Sequence, residues 1–534
     1  MSSIQNINII PGPVLLKIST GKFILTEGTR IYSDKELLKV SEYLKNFLLP
    51  ATGYNLIIKE RKEKIGNDSS INLKLTDNEG KLDFEGYTIE VSPKEINITA
   101  PYSVGIFYGI QTLRLLLPPE IENNAKVEGI EWQIPCLKLE DFPRFSWRGY
   151  MLDEARHFHG KDVVKKILDL MALLKLNTFH WHLTDDQGWR IEINNYPKLI
   201  EVGSKREETQ VGGLFSKKRD KIPHSGYHTQ EDIKEIIDYA KNRFIKIIPE
   251  IDLPGHTRAV LASYPNLSCK GYPFRVSTHW GIHKDVLCIG KEEVFEFIQN
   301  VLKEIIDLFP SNIVHIGGDE VLKNRWKECP DCQLRLEKEG LKKVEELQPY
   351  FTNRLVTFLS TYKQKIILWN DALNKNLQIK PIYQYWLRGK KDVLEYLKKG
   401  GEVIMTNFKY TYLDHSYNFT SLKLAYKFEP IPKKLDKKYH KYVLGLEAPL
   451  WSEYIQNIKR LEWQTFPRLI AFAEIGWTPK IKKNFNYFQE RLKDFLERFD
   501  IIGINYATFP EVRSNVFKRL FKVFTLPAEQ KGGI

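Results

Sequence analysis

Residues 148–186 read RGYMLDEARHFHGKDVVKKILDLMALLKLNTFHWHLTDD, and this stretch decides the fold. RGYMLD and NTFHWHL are short apolar runs of strand character. Between them, KDVVKKILDLMALLKL repeats its apolar residues at helical spacing. Strand, helix, strand is the unit from which parallel sheets are built. Outward from it the pattern recurs: FIKIIPEID (244–252), NIVHIGG (312–318), KIILWN (365–370), IYQYWL (382–387), EVIMTNF (402–408) and YVLGLEAPLW (442–451). Amphipathic segments lie between, including 228–244, where Thr229 and Asp232 are placed as a capping box, and 293–309. Eight such runs predict a (β/α)8 TIM barrel.

Residues 1–140 read differently, as a small α+β domain. GKFILTEGTRIYS, INLKLTD, YTIEVS and EINITA have strand character, and 35–49 and 103–117 have helical spacing. PPEIENNAKVEG (118–129) interrupts the pattern, which predicts a boundary near 140. The expected organisation is an α+β domain at 1–140, the barrel at 141–490, and a terminal helix with a basic tail at 491–534.

Composition fits a globular chain: 534 residues, 42% hydrophobic and 28% charged. The net charge of +13 is spread along the chain without an arginine-rich tract, so it predicts a solvated surface rather than a nucleic-acid partner. No run is long enough to span a membrane, and the first residues lack a basic region followed by an apolar one, so the expected location is cytoplasmic. The five cysteines include one CxxC, Cys329 and Cys332, with no second pair at matching spacing. They are expected to be isolated, with no metal and no cofactor.

A barrel of this kind carries its chemistry at the carboxyl ends of its strands. Those ends hold Asp153 and Arg156; Asp185 and Asp186; Glu250, Asp252 and His256; Asp319 and Glu320; Trp369 and Asp371; Trp386; Tyr412 and Asp414; Trp451 and Glu453. Singly, each could be a cap or a core residue. Together, carboxylates, an arginine and tryptophans suit a sugar, whose ring face stacks on aromatics while its hydroxyls take charged partners. His180 with His182 leaves a metal site as the alternative, because residues two apart share a strand face. In NIVHIGGDEV (312–321), adjacent Asp319 and Glu320 emerge from one lip. Two such neighbours do not easily straddle a sugar, as a glycosidase with an enzyme nucleophile requires.

The sequence resembles the glycoside hydrolase family 20 β-N-acetylhexosaminidases through HIGGDE (315–320), WRGYMLDEARHF (147–158), NTFHWHLTDDQGWRIEI (177–193), PEIDLPGH (249–256), YLD (412–414) and LWSEY (450–454). The N-terminal unit is similar to the small domain that precedes the barrel in many members. The resemblance implies an exo-acting, retaining hydrolase in which the substrate's 2-acetamido oxygen attacks C1 to give an oxazolinium intermediate. It implies Glu320 as general acid and base, Asp319 orienting the acetamido group, and Tyr412 donating to its oxygen. Arg156, Asp414 and Glu453 would hold ring hydroxyls or the leaving side. Trp369, Trp386 and Trp451 would wall the acetamido pocket, and Asp185 and His256 would tune the acid. Expected partners are amino-sugar glycosides, chitooligosaccharides or glycan ends, with no nucleic acid, no membrane, and a homodimer allowed. Arg156 and Glu453 could hold either the gluco or the galacto epimer. Two readings compete: a barrel glycosidase in which Glu453 attacks, and a binding protein that has lost catalysis. A transglycosylase would open the same intermediate with a sugar hydroxyl.

Overall fold

The computed structural model describes residues 7–63, 69–77, 82, 84–213, 216–374 and 377–513; the basic tail from 514 onward lies outside them. The N-terminal domain is a seven-stranded mixed sheet in the order Leu15–Ile24, Gln133–Asp141, Tyr87–Val91, Glu95–Ala100, Ser70–Leu75, Arg30–Ser33, Ile57–Glu60. Along Glu95–Ala100 alternate residues are buried, as expected where one face receives helices. Those helices are Leu38–Thr52 and Ser103–Leu116.

All eight predicted runs become strands of a closed barrel: β1 (Trp147–Asp153), β2 (Thr178–Asp185), β3 (Lys246–Ile251), β4 (Ile313–His315), β5 (Lys365–Trp369), β6 (Ile382–Tyr385), β7 (Val403–Met405) and β8 (Val443–Leu450). Each pairs in parallel with the next. β8 closes on β1 from Gly445 opposite Trp147 to Leu450 opposite Leu152. Every residue of β1 and β2 is buried, because helices cover a parallel barrel outside and side chains fill it inside. The main outer helices are α1 (Lys161–Leu173), α2 (Gln230–Lys241), α3 (Glu292–Leu308), α4 (Leu347–Thr361), α5 (Lys390–Lys398), α6 (Ile458–Thr465) and α7 (Arg468–Trp477). The Thr229–Asp232 capping box forms at the start of α2.

A final helix, α8 (Phe485–Ile502), returns to the N-terminal domain, where Arg498 Nη2 donates to the Leu115 carbonyl at 3.0 Å. A buried ion pair joins the two domains at the barrel's lower end: Arg148 forks onto Glu85 at 2.7 and 2.8 Å. Among the described residues, no helix is long and apolar enough to cross a membrane.

Inside the barrel, Trp147, Ile248, Ile313, Ile367, Ile382 and Ile404 form an apolar layer. A polar group adjoins it. Glu447 of β8 accepts from Trp147 Nε1 at 3.0 Å and Gln384 Nε2 at 2.7 Å, and lies 2.7 Å from His180 Nδ1. Glu250 of β3 accepts from Trp369 Nε1 at 2.8 Å and pairs with His180, His182 and His315. Its carboxyl titrates well below the usual range because, against burial, those three imidazoles favour the anion. This network is the floor on which the rim residues stand.

The cysteines correct an expectation. They are not isolated: Cys269, Cys288, Cys329 and Cys332 bring their sulfurs within 4.8 Å of one another, and only Cys136 stands apart. Spacing in the sequence conceals them, because Cys269 and Cys288 are distant in sequence and meet only through a long loop.

Candidate active site

Strand β4 ends at His315, and the chain then turns through Gly317 at φ +60° and Gly318 at φ +95°. The turn has a packing reason: a Cβ on Gly317 would sit 1.7 Å from Asp252 Oδ1, and that oxygen accepts from Gly318 N at 3.1 Å. Glu320 follows at φ +50°, a strained conformation for a residue with a side chain. Asp319 and Glu320 thereby leave the strand's alternation and point to a common neighbour. His256 Nε2 lies 3.9 Å from Asp319 Oδ2 and 3.7 Å from Glu320 Oε2.

Their environments differ. The Asp319 side chain is 12% exposed and that of Glu320 is 32%. Burial, with the like charges of Glu320, Glu250 and Asp371, pushes the Asp319 carboxyl up to about 7, against the pull of protonated His256. Burial also raises Glu320, against His256 and Arg156. Glu320 is thus the more open acid of the pair and Asp319 the deeper.

His256 is held from behind. Its Nδ1 lies 3.2 Å from Asp185 Oδ1 and 3.3 Å from Asp186 Oδ2. Burial would favour neutral imidazole, but these carboxylates and Asp252 keep the ring protonated well above its usual range. Asp185 also receives Arg156 Nη2 at 2.7 Å and lies 3.1 Å from His182 Nε2.

Arg156 is fixed on three sides, by Asp185, by Asp153 Oδ2 at 3.2 Å, and by Gln187 Oε1, which accepts from Nε at 3.0 Å. Its guanidinium lies 4.9 Å from the Trp451 ring centroid. Glu453 stands close enough for Arg156 to oppose the burial that raises its carboxyl. The sequence does not single out Gln187, which lies within NTFHWHLTDDQGWRIEI beside the strand-end Asp185 and Asp186.

The aromatic wall forms on the other side. Trp369 is 1% exposed and lies 5.9 Å from Trp451, the two rings inclined at 39°. Trp386 stacks at 6.2 Å on Tyr412 and donates from Nε1 to Asp371. The Trp451 indole lies close enough to the Tyr412 hydroxyl to act on its phenol. Burial, reinforced by Asp414, keeps that phenol protonated. The loop bearing Tyr412 and Asp414 is pinned by Arg468, whose guanidinium donates to the Leu413 carbonyl and, at 2.8 Å, to that of His415. Burial, then Glu453, raises the Asp414 carboxyl.

The structure thus brings all of Arg156, Asp185, His256, Asp319, Glu320, Trp369, Trp386, Tyr412, Asp414, Trp451 and Glu453 to the rim. The metal alternative fares worse at His182. His182 has carboxylates on both ring nitrogens, Glu250 on Nδ1 and Asp185 on Nε2, which leaves it no free lone pair for an ion.

Paired acids on one lip, opposite a clamped arginine and a tryptophan wall, define a glycoside hydrolase built on a TIM barrel. Comparison with known proteins narrows that class. The profile described as glycosyl hydrolase family 20, catalytic domain, matches residues 145–480, and that of the family's domain 2 matches 6–142. The chain therefore belongs to glycosyl hydrolase family 20, the β-N-acetylhexosaminidases.

A β-hexosaminidase of Porphyromonas gingivalis is 39% identical over 515 residues, covering 94% of this chain and 64% of the relative's length. The exo β-N-acetylglucosaminidase of Vibrio harveyi, solved with N-acetylglucosamine, superposes with a TM-score of 0.82 at 32% identity, covering 94% of this chain and 78% of that one. The β-N-acetylhexosaminidase of Streptomyces coelicolor gives 0.81 at 30%, covering 95% and 99%.

Proposed function

We propose that this chain removes single β-linked N-acetylhexosamine units from the non-reducing ends of glycosides, with retention, using the substrate's own acetamido group as nucleophile. The observation that carries the reading is the adjacent pair: Asp319 and Glu320 follow one another off the end of β4 and both approach His256 Nε2, at 3.9 and 3.7 Å, so both carboxyls stand on one lip of the barrel. A double displacement needs two carboxyls flanking the bond, about 5 to 5.5 Å apart. A pair on one side suits a division of labour in which one acid transfers protons and the other manages charge.

Glu320 gives its proton to the glycosidic oxygen as the acetamido oxygen bonds to C1 and the leaving group departs. Asp319 accepts the amide N–H and balances the positive charge that develops on the ring nitrogen. Tyr412 donates its phenolic proton to the acetamido oxygen and aims it at C1, while Trp369, Trp386 and Trp451 exclude water and hold the methyl group. Glu320 then takes a proton from the water that opens the oxazolinium at C1. Arg156 and Glu453, with Asp414, hold the ring hydroxyls, and a closed hydroxyl grip of this kind favours a chain end over an internal unit.

The test is a hydrolysis panel of paired N-acetylglucosaminides, N-acetylgalactosaminides, chitooligosaccharides and the matching glucoside, with the product anomer followed by NMR. Cleavage restricted to 2-acetamido sugars, with β product formed first, is expected. Comparable cleavage of the glucoside, or a covalent ester trapped on Glu453 by a fluorinated glycosyl probe, would sink the reading.

A further inference from the structure

Outside the sugar site lies the cysteine cluster. Cys269 follows the short helix Arg258–Ser263, and Cys288 sits in the extended loop before α3. Cys329 and Cys332 flank the start of the helix Pro330–Lys338, in the excursion after β4. The sulfurs lie 3.6 Å apart for Cys288 and Cys329, 3.6 Å for Cys288 and Cys332 and 3.8 Å for Cys269 and Cys332. A tetrahedron of thiolates about zinc, with bonds of about 2.3 Å, has edges of about 3.8 Å. No pair is a disulfide.

The surroundings suit bound thiolates. Gly290 lies two residues after Cys288. Gly290 itself is pressed on the other knuckle: a Cβ there would lie 2.2 Å from the Asp331 carbonyl carbon. Cations also brace the loops. Arg335 Nη2 donates to the Gly290 carbonyl at 3.2 Å, and Lys291 Nζ to that of Ser268 at 3.0 Å.

We propose that Cys269, Cys288, Cys329 and Cys332 bind one zinc ion in a closed, structural tetrathiolate site. Binding replaces four S–H protons, released to solvent, with four Zn–S bonds, and leaves no open position for a substrate. The ion ties the loop after β3 to the excursion after β4. The same two segments are laced at Trp326 Nε1, which donates to the Leu287 carbonyl at 2.9 Å, and at Arg325, 2.7 Å from Asp285. Leu287 N in turn donates to the Pro254 carbonyl at 3.1 Å, two residues before His256. The site thus braces the segments that carry His256 and Glu320, and the inference holds whatever sugar the rim accepts.

The test is elemental analysis of the full chain purified without chelator, with zinc release followed as a mercurial titrates the thiols. About one zinc per chain, freed as four thiols react, is expected. Cobalt exchanged into the site should show thiolate-to-metal charge transfer, which the rim's imidazoles and carboxylates cannot produce. Cys332→Ser and Cys269→Ser should lose the metal and melt several degrees lower, whereas Cys136→Ser should keep it. Should the serine variants fail to fold, the parent's metal content and cobalt spectrum decide. A zinc-free parent whose melting temperature ignores added zinc, iron in place of zinc, a disulfide among the four, or a cobalt spectrum without sulfur bands would overturn the assignment.

Discussion

Asp185 Oδ1 lies 3.2 Å from His256 Nδ1, and the far nitrogen of that imidazole reaches both Glu320, at 3.7 Å, and Asp319, at 3.9 Å. A buried cation is thus held between a carboxylate that fixes it and two that it tunes. Its charge favours the anions of Asp319 and Glu320, so removing it raises both of their pKa values. His256→Gln should therefore displace both limbs of the pH profile of kcat/KM toward higher pH, by about one unit or more for charges this close. A variant that is merely slower, with both limbs where they were, would contradict this role.

Asp319 must be ionised to accept the acetamido N–H, yet in the free enzyme its carboxyl titrates near 7. The acid limb of kcat/KM should accordingly fall near pH 7. That of kcat should lie lower, since the bound amide hydrogen-bonds the anion. The same shift opposes stability. An unfolded aspartate ionises near 3.9, so the folded state, which binds the proton more tightly, loses stability as pH rises from about 4 through 7 and stays weakened above. Asp319→Asn should melt with the parent at pH 4 and above it at pH 8, while kcat falls by about 10² to 10³. Equal melting temperatures at pH 8 would show that burial of Asp319 carries no such cost.

Glu320→Gln removes the proton donor from the more open side of the pair. The loss should reach about 10² to 10⁴-fold on alkyl or sugar leaving groups. It should shrink on nitrophenyl ones, which depart without protonation. A uniform loss across leaving groups would assign Glu320 to something other than proton transfer.

Arg156 donates in three directions and covers the Trp451 face, a geometry that a lysine ammonium cannot reproduce. Arg156→Lys should raise KM tenfold or more. It should also lower kcat, because the lost contact frees Asp185, on which His256 depends. Unchanged kinetics would mean that the sugar is gripped elsewhere.

The barrel was legible because its strands are apolar runs on a period that helices interrupt, and strand ends fix where chemistry can sit. Most of the rim followed from that placement together with family motifs such as HIGGDE and PEIDLPGH. Two features were not legible, for different reasons. Gln187 clamps Arg156 through a single side-chain hydrogen bond, and one glutamine in a polar segment carries no periodic signal. The four cysteines converge from 269 to 332 through the geometry of two excursions, so their spacing in sequence does not betray their spacing in space. The strand-end carboxylate Glu250 joins three histidines and Trp369 at the centre of the floor, contacts that its place in the sequence does not specify.

Gly317 tests whether the lip's backbone, rather than its acids alone, is part of the machinery. It combines φ +60° with a side-chain position already occupied by Asp252 Oδ1, 1.7 Å from an added Cβ. Left-handed geometry alone costs an alanine about 1 kcal/mol, which a folded barrel tolerates. The clash cannot be absorbed that way, because Asp252 belongs to a buried group with His256 and Asp319 whose side-chain atoms lie within 4.8 Å. Gly317→Ala must push the Asp252 carboxylate into that group or swing Asp319 and Glu320 outward, and either movement separates the acids from their imidazole. Activity should therefore fall by about 10² or more, a ~1 Å misplacement being enough, in protein that is still folded by circular dichroism. If kcat survives in such protein, the positions of Asp319 and Glu320 do not depend on the turn that precedes them.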